Sequence, residues 1–224
     1  MLASGKLTAN SSRQPELIQP EPTTPRVLTI LSTVIEKLVA RNDRIVDGMS
    51  SGLTRLGKSL NAFHGVRAPS ISIQKYLERL YKYTSCSPSC FVVGYVYIDR
   101  LLHKHPDSLV VSLNVHRLLV TSVLVASKML DDEHHNNAFY ARVGGVSNAE
   151  LNKLEIEFLF LLDFGVMVSS RIFENYCLHL EKEMLLNGTL QKIERPIPSN
   201  SLDDVTEISV DDTHNSTSPS QVVD

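Results

Sequence analysis

Two charged side chains stand where the helical pattern leaves little room for a solvated charge. Lys128 is the only charge after Arg117 in the segment 114–130. There Val115, Leu118, Leu119, Val123, Ala126 and Leu130 follow the 3.6-residue period, and Val120, Leu124 and Val125 fill the other face. Glu155 lies in a second helical segment whose stripe is Leu151, Leu154, Phe158, Leu161 and Leu162. Leu151 and Leu159 are four residues from it and Phe158 three, so its carboxylate is rimmed by apolar surface. Neither charge has a good local partner. Asp132 is at i+4 from Lys128, but acid after base is the weaker order on a helix. The plain alternative is a snorkelling lysine and a solvated glutamate. As functional groups they are one charged donor and one charged acceptor, suited to strong charge-assisted hydrogen bonds.

Other residues with chemical potential read as structural. Asp99, among Tyr95, Val96, Ile98 and Leu101, needs a buried partner, because an unpaired buried charge is costly. His103 and His105 precede Pro106 at a helix end, where the helix dipole accounts for them, and His134 and His135 follow an acidic turn and read as solvated. No metal site is expected. Cys86 and Cys90 are too widely spaced for a Cys-x-x-Cys pair and lack a second pair. No Gly-rich phosphate loop, nucleophile elbow or HExxH motif occurs, so no cofactor and no enzymatic activity are expected. Thr24-Pro25-Arg26 and Ser218-Pro219 are proline-directed phosphorylation candidates at Thr24 and Ser218.

Elements that would position these groups follow from caps and periodicity. Thr24-Pro25 reads as a helix cap with proline at the first helical position, followed by the stripe Val27, Leu28, Leu31, Val34, Ile35 and Leu38, which stops near Asn42. Residues 47–69, rich in Gly and Ser, read as a loosely ordered connector. Helices are then expected over 71–84, from a Ser87-Pro88 cap to His103, over 114–130, from Asn136-Asn137 to a glycine stop at Gly144-Gly145, and from Ser147 to about Leu162. Ser147 and Glu150 have capping-box spacing. A sixth segment opens at Ser169-Ser170 and runs over 172–186. The small residues Thr121, Ser122, Ala126 and Ser127 would let neighbours approach the central helix closely.

The bulk properties agree with one helical core. At 224 residues and 42% hydrophobic content the chain has the composition of a globular protein. A net charge of −3 leaves no electrostatic footprint for nucleic acid. Three sparse cysteines suit a reducing compartment. No run of ~20 uncharged apolar residues is present, and the N-terminus lacks an apolar signal region. A soluble intracellular protein of nucleus or cytoplasm is expected, without membrane association.

Tyr97-Ile98-Asp99-Arg100, Ala126-Ser127-Lys128 and Leu154-Glu155, in this order on successive helices, resemble the cyclin box. Lys128-Met-Leu-Asp-Asp132, the run from Asn136 to Gly145, and Phe158-Leu-Phe-Leu-Leu-Asp-Phe164 are similar to the plant U-type (P-type) cyclins, relatives of the fungal phosphate-pathway cyclin. The resemblance implies that Lys128 and Glu155 bind a kinase, gripping the backbone around its mobile regulatory helix. It implies a partner among the cyclin-dependent protein kinases, an A-type plant kinase or close relative, bound as a heterodimer in the control of cell division. Many cyclins pair the aspartate matching Asp99 with an arginine at the start of the first box helix. This chain has Ile71-Ser-Ile-Gln-Lys-Tyr76 there, without that arginine.

The expected fold is all-α: one cyclin box of five helices around a central apolar helix, with an extra N-terminal helix and a short C-terminal one. Residues 1–23 are expected to be disordered, 24–69 to hold the N-terminal helix and connector, 70–186 the box and following helix, and 187–224 a disordered acidic tail. Two rivals belong to other classes. A cyclin-fold transcription-factor-like adaptor would use tandem boxes with basic faces. A helical metal-dependent phosphohydrolase would need a His-Asp doublet, which this chain lacks.

Overall fold

The central helix is buried on every side. The computed structural model describes residues 24–48, 58–186 and 193. Among them are seven α-helices, one 3-10 helix and no strand: α1 (Arg26–Gly48), the 3-10 turn Lys58–Phe63, α2 (Ile73–Thr84), α3 (Pro88–Lys104), α4 (Val115–Leu130), α5 (Asn137–Gly144), α6 (Asn148–Leu161) and α7 (Ser170–Leu186). In α4 every residue from Val115 to Ser127 except Arg117 is buried. It packs most extensively on α3, with α2, α5 and α6 around its other sides. The two helices approach closely at Gly94 of α3, where an added Cβ would lie 3.1 Å from Ser122 Oγ. Small residues on both helices permit that contact.

Local signals set most boundaries. Ser72 and Asn136 cap α2 and α5 by accepting from Lys75 N–H and Phe139 N–H. Gly145, at φ 74°, supplies the left-handed stop of α5. At α6, Ser147 Oγ accepts from Glu150 N–H at 3.1 Å, but Glu150 does not reach back to complete the box. Its carboxylate instead binds Arg117 Nε of α4 at 2.6 Å, a partner far off in sequence. Ser87 stands at the N-cap of α3 without a side-chain cap bond. Asp131, just after α4, takes over by accepting from Ser87 N–H at 3.1 Å and Cys90 Sγ at 3.3 Å. A carboxylate at a helix N-terminus also meets the dipole favourably.

The N-terminal helix is longer than its stripe suggests and starts one residue later. Pro25 precedes the first helical residue, its carbonyl accepting from Leu28 N–H, and the helix continues past Asn42 to Gly48. Val27, Leu28, Ile30, Leu31, Ile35 and Val39 are buried against α2, α3 and α7. Asn42 Nδ2 donates to Val110 O, and Asp43 accepts from both N–H and Oγ of Ser112, so polar contacts fix its second half. Where a loose connector was expected, residues 58–63 form the 3-10 turn, with Leu60 and Phe63 buried and Phe63 edge-on to Phe158 at 6.0 Å. Burial of the Leu60 and Phe63 side chains outweighs the local Gly/Ser signal. No described helix is long and apolar enough to cross a membrane.

Candidate functional site

Lys128 occupies the last turn of α4, and Glu155 the middle of α6. Packing of α6 on α4 brings them together, with Lys128 Nζ donating to Glu155 Oε1 at 2.5 Å. Each charge that lacked a partner in its own helix has the other as a tertiary one. Asn137, in the first turn of α5, donates through Nδ2 to Glu155 Oε2 at 2.6 Å and to Asn152 Oδ1 at 2.8 Å. Sequence reasoning did not single out Asn137, because nothing local marks an asparagine as the orienter of a distant carboxylate. Both members of the pair stay partly open, with side chains 31% and 15% exposed. The pair is thus oriented and reachable, a donor and an acceptor side by side.

Large apolar side chains stand exposed on the same two helices and in the turn after α6. Met129 and Leu130 follow Lys128 at the end of α4, and Ile156 and Phe160 succeed each other at i+4 on the outer face of α6. Phe160 meets Phe164 edge-on at 5.2 Å, and these two rings are 61% and 58% exposed. An apolar surface of that kind on helices that carry an oriented ion pair has the make-up of a protein-binding site.

The turn after α6 is strained and firmly held. Asp163 and Phe164 have φ of 49° and 57°, a left-handed conformation unfavourable for an aromatic residue. Helix α3 holds the turn from below. Arg100 Nη1 donates to Gly165 O and Met167 O at 2.9 and 2.8 Å, and Tyr97 OH donates to Val166 O at 2.7 Å. Lys104 binds Asp163 Oδ2 at 2.5 Å, which holds that carboxyl below its usual range. Strain maintained in this way concentrates at functional positions. Here it projects Phe164 outward beside Phe160.

Asp99 finds its partner beyond the first box helix. Tyr176 OH of α7 donates to Asp99 Oδ2 at 2.6 Å, and His103 Nδ1 lies 3.3 Å from the same oxygen. Burial, then the bond to Asp99, raises the Tyr176 phenol. His105 Nε2 donates to Leu161 O, so it ties α3 to α6. Cys86, Cys90 and Cys177 are buried. Among the described residues no group of three or more His, Cys, Asp or Glu side chains could hold a metal ion. Thr24 is exposed just before α1, while Ser218 lies outside the described residues.

Comparison with known proteins gives the arrangement its family. The cyclin family model matches residues 25–166. The chain is 70% identical over 174 residues to Cyclin-U1-1 of Arabidopsis thaliana, covering 78% of this chain and 81% of that protein. It is 49% identical to Cyclin-P1-1 of Oryza sativa subsp. japonica, covering 72% and 63% respectively, and 45% identical to Cyclin-U4-1 of Arabidopsis thaliana, covering 76% and 82%. A box of helices around a buried α4, with the Lys128–Glu155 pair on its surface, therefore places this chain in the cyclin family, a family of regulatory rather than catalytic proteins, among the plant U-type (P-type) cyclins.

Proposed function

We propose that this chain binds a cyclin-dependent protein kinase of the plant A type as a heterodimer and activates it, in the control of cell division. Lys128 and Glu155 would exchange part of their mutual hydrogen bonding for the kinase backbone, the ammonium taking a carbonyl and the carboxylate an N–H. Phe160, Phe164 and Ile156 would supply the buried apolar part of the contact. Holding the kinase's regulatory helix inward completes the Lys–Glu ion pair of the kinase active site and the arrangement of its metal ions. The rate increase then appears in the partner, which makes the chain an allosteric activator. Asp99 has a structural role in this reading, and Thr24 and Ser218 are where a proline-directed kinase would act.

The observation that carries the reading is the partly exposed Lys128–Glu155 pair, oriented by Asn137. The test mixes the purified chain with an A-type plant kinase and follows both co-elution and phosphorylation of a peptide substrate. Co-elution with a rise in rate of tenfold or more is expected. Co-elution without a rise would make the chain an adaptor. Absence of co-elution with any kinase recovered on the tagged chain would end the kinase reading.

A further inference from the structure

A second site lies at the other end of α4. Arg117 and Lys128 are eleven residues apart on this helix, roughly 16 Å at ~1.5 Å per residue. Around Arg117 a cavity of about 720 Å³ opens between α2, the start of α4 and the end of α5. Three arginines from three separate stretches line it: Arg67 from the loop before α2, Arg79 from α2 and Arg117 from α4. Arg117 is set in place on two sides. Its Nε binds Glu150, and the backbone at Gly65 passes so close that a Cβ there would collide with Nη1. Arg67 and Arg79 are exposed and, among the described residues, have no carboxylate partner. Glu78, next to Arg79 in sequence, is bonded to Lys75 at 2.7 Å. Three guanidinium groups against one carboxylate leave two positive charges uncompensated, on a chain whose net charge is −3.

The shape favours an extended ligand over a small ion. Arg79 also lines an adjoining depression of about 500 Å³ with Lys75, Glu78, Lys82 and Tyr83; Glu78 pairs with Lys75, and Arg79 and Lys82 carry the surplus positive charge on along α2. Ile71 and Val146 give the first cavity an apolar wall able to take a side chain. Planar guanidinium forks match a phosphoryl dianion in a way that isolated lysines do not. We propose that this groove binds a phosphorylated peptide segment of a partner protein, with the phosphoryl group seated among Arg67, Arg79 and Arg117 and the flanking residues along α2. If the chain is a kinase subunit, the groove would hold a substrate already phosphorylated once. That consequence rests on the proposed function; the binding itself does not.

Fluorescence polarisation on the full chain tests this, using a labelled degenerate peptide pool with a fixed central phosphoserine and the same pool with serine. At low salt the phosphorylated pool should bind at least about tenfold more tightly. The double variant Arg67→Gln, Arg79→Gln should lose that preference, and Lys128→Glu should retain it. Both arginines are exposed, so the double variant should melt like the parent. Arg79→Lys, which keeps the charge and loses the fork, should weaken binding several-fold and serves as an independent check. Equal binding of the two pools, or an unchanged preference in the double variant, overturns the proposal. So does displacement by inorganic phosphate at concentrations equal to the peptide, which would mean a small-anion site, or tighter binding of a single-stranded RNA oligonucleotide. The double variant should also co-elute with the kinase as the parent does. A parent chain that binds phosphopeptide but no kinase would sink the kinase reading alone.

Discussion

In the free chain the Lys128 ammonium is already bonded to Glu155, and this changes what a charge reversal reports. Lys128→Glu places two carboxylates in contact near Asn137, so it both weakens the fold, by about 1 kcal/mol, and reverses the charge offered to a partner. The exchange Lys128→Glu with Glu155→Lys separates the two effects, because it rebuilds the internal pair with the opposite polarity. The exchanged chain should melt close to the parent, yet its kinase affinity should stay about a hundredfold or more below it, since reversed charges meet the same backbone groups. Recovery of kinase binding in the exchanged chain would mean that the pair is only internal bracing. His116 offers a second residue-scale prediction. Burial lowers its pKa, the hydrogen bond that Nε2 donates to Ile71 O opposes this in part, and Arg117 lowers it further, so the net shift is downward. The unfolded chain, with a histidine near ~6.5, therefore binds more protons than the folded one. Stability should fall as the pH drops below about 6.5 and level off once the folded pKa is passed. Melting temperatures at pH 7 and pH 5 should differ less for His116→Gln than for the parent. An identical difference in the two chains would remove His116 as a source of acid sensitivity.

At the scale of elements, legibility followed whether a signal was local. Ser72, Asn136, Ser147 and Gly145 mark helix ends by bonds or dihedrals within four residues, so those boundaries could be read directly. The uninterrupted apolar surface of 115–127 placed α4 at the centre for the same reason. What escaped depends on distant partners: Asp131 serving the N-terminus of α3, Glu150 diverted to Arg117, Asn137 orienting Glu155, and Tyr176 answering Asp99. The 3-10 turn escaped because two buried residues, Leu60 and Phe63, sit in a stretch whose composition reads as loop. The exposed rings Phe160 and Phe164 lie inside a motif quoted for its likeness, but only the strained turn shows which way they face. Helix α1 is where stripe and structure meet most directly, and it carries the third prediction. Leu31 and Ile35 are 1% and 3% exposed against α2, α3 and α7. Removing such side chains costs about 2 to 5 kcal/mol each, before the cost of burying a carboxylate. Against a typical stability of about 5–15 kcal/mol, Leu31→Asp with Ile35→Asp should unfold the domain or leave it barely folded at 25 °C. A double variant that shows the parent's cooperative melt would make α1 an appendage.

At the largest scale, α4 joins two sites of different chemistry, a partly exposed ion pair near its C-terminus and a groove with surplus positive charge near its start. Residues 1–23 and 195–224 are polar in composition. These ends are expected to be dispensable for kinase binding. The point of cutting matters, though. Ile193 falls within the stretch expected to be tail, yet it is 5% exposed, and its N–H donates to Glu181 Oε1 of α7 at 2.7 Å. A chain trimmed to 24–194 should bind the kinase within about twofold of the parent and melt at nearly the same temperature. A chain trimmed to 24–190 loses the buried isoleucine and the donor to Glu181. Burial of such a side chain is worth about 1.5–3 kcal/mol, so this shorter chain should melt several degrees lower, at ~2–4 °C per kcal/mol for a domain of this size. The proposed kinase contacts lie on α4, α6 and the turn after α6, so at 15 °C, where both trimmed chains are expected to be folded, they should bind alike. Loss of kinase binding by the 24–194 chain, with its melt intact, would show that a terminal segment contributes to the contact. Equal melting of the two trimmed chains would show that Ile193 adds nothing to the core it covers.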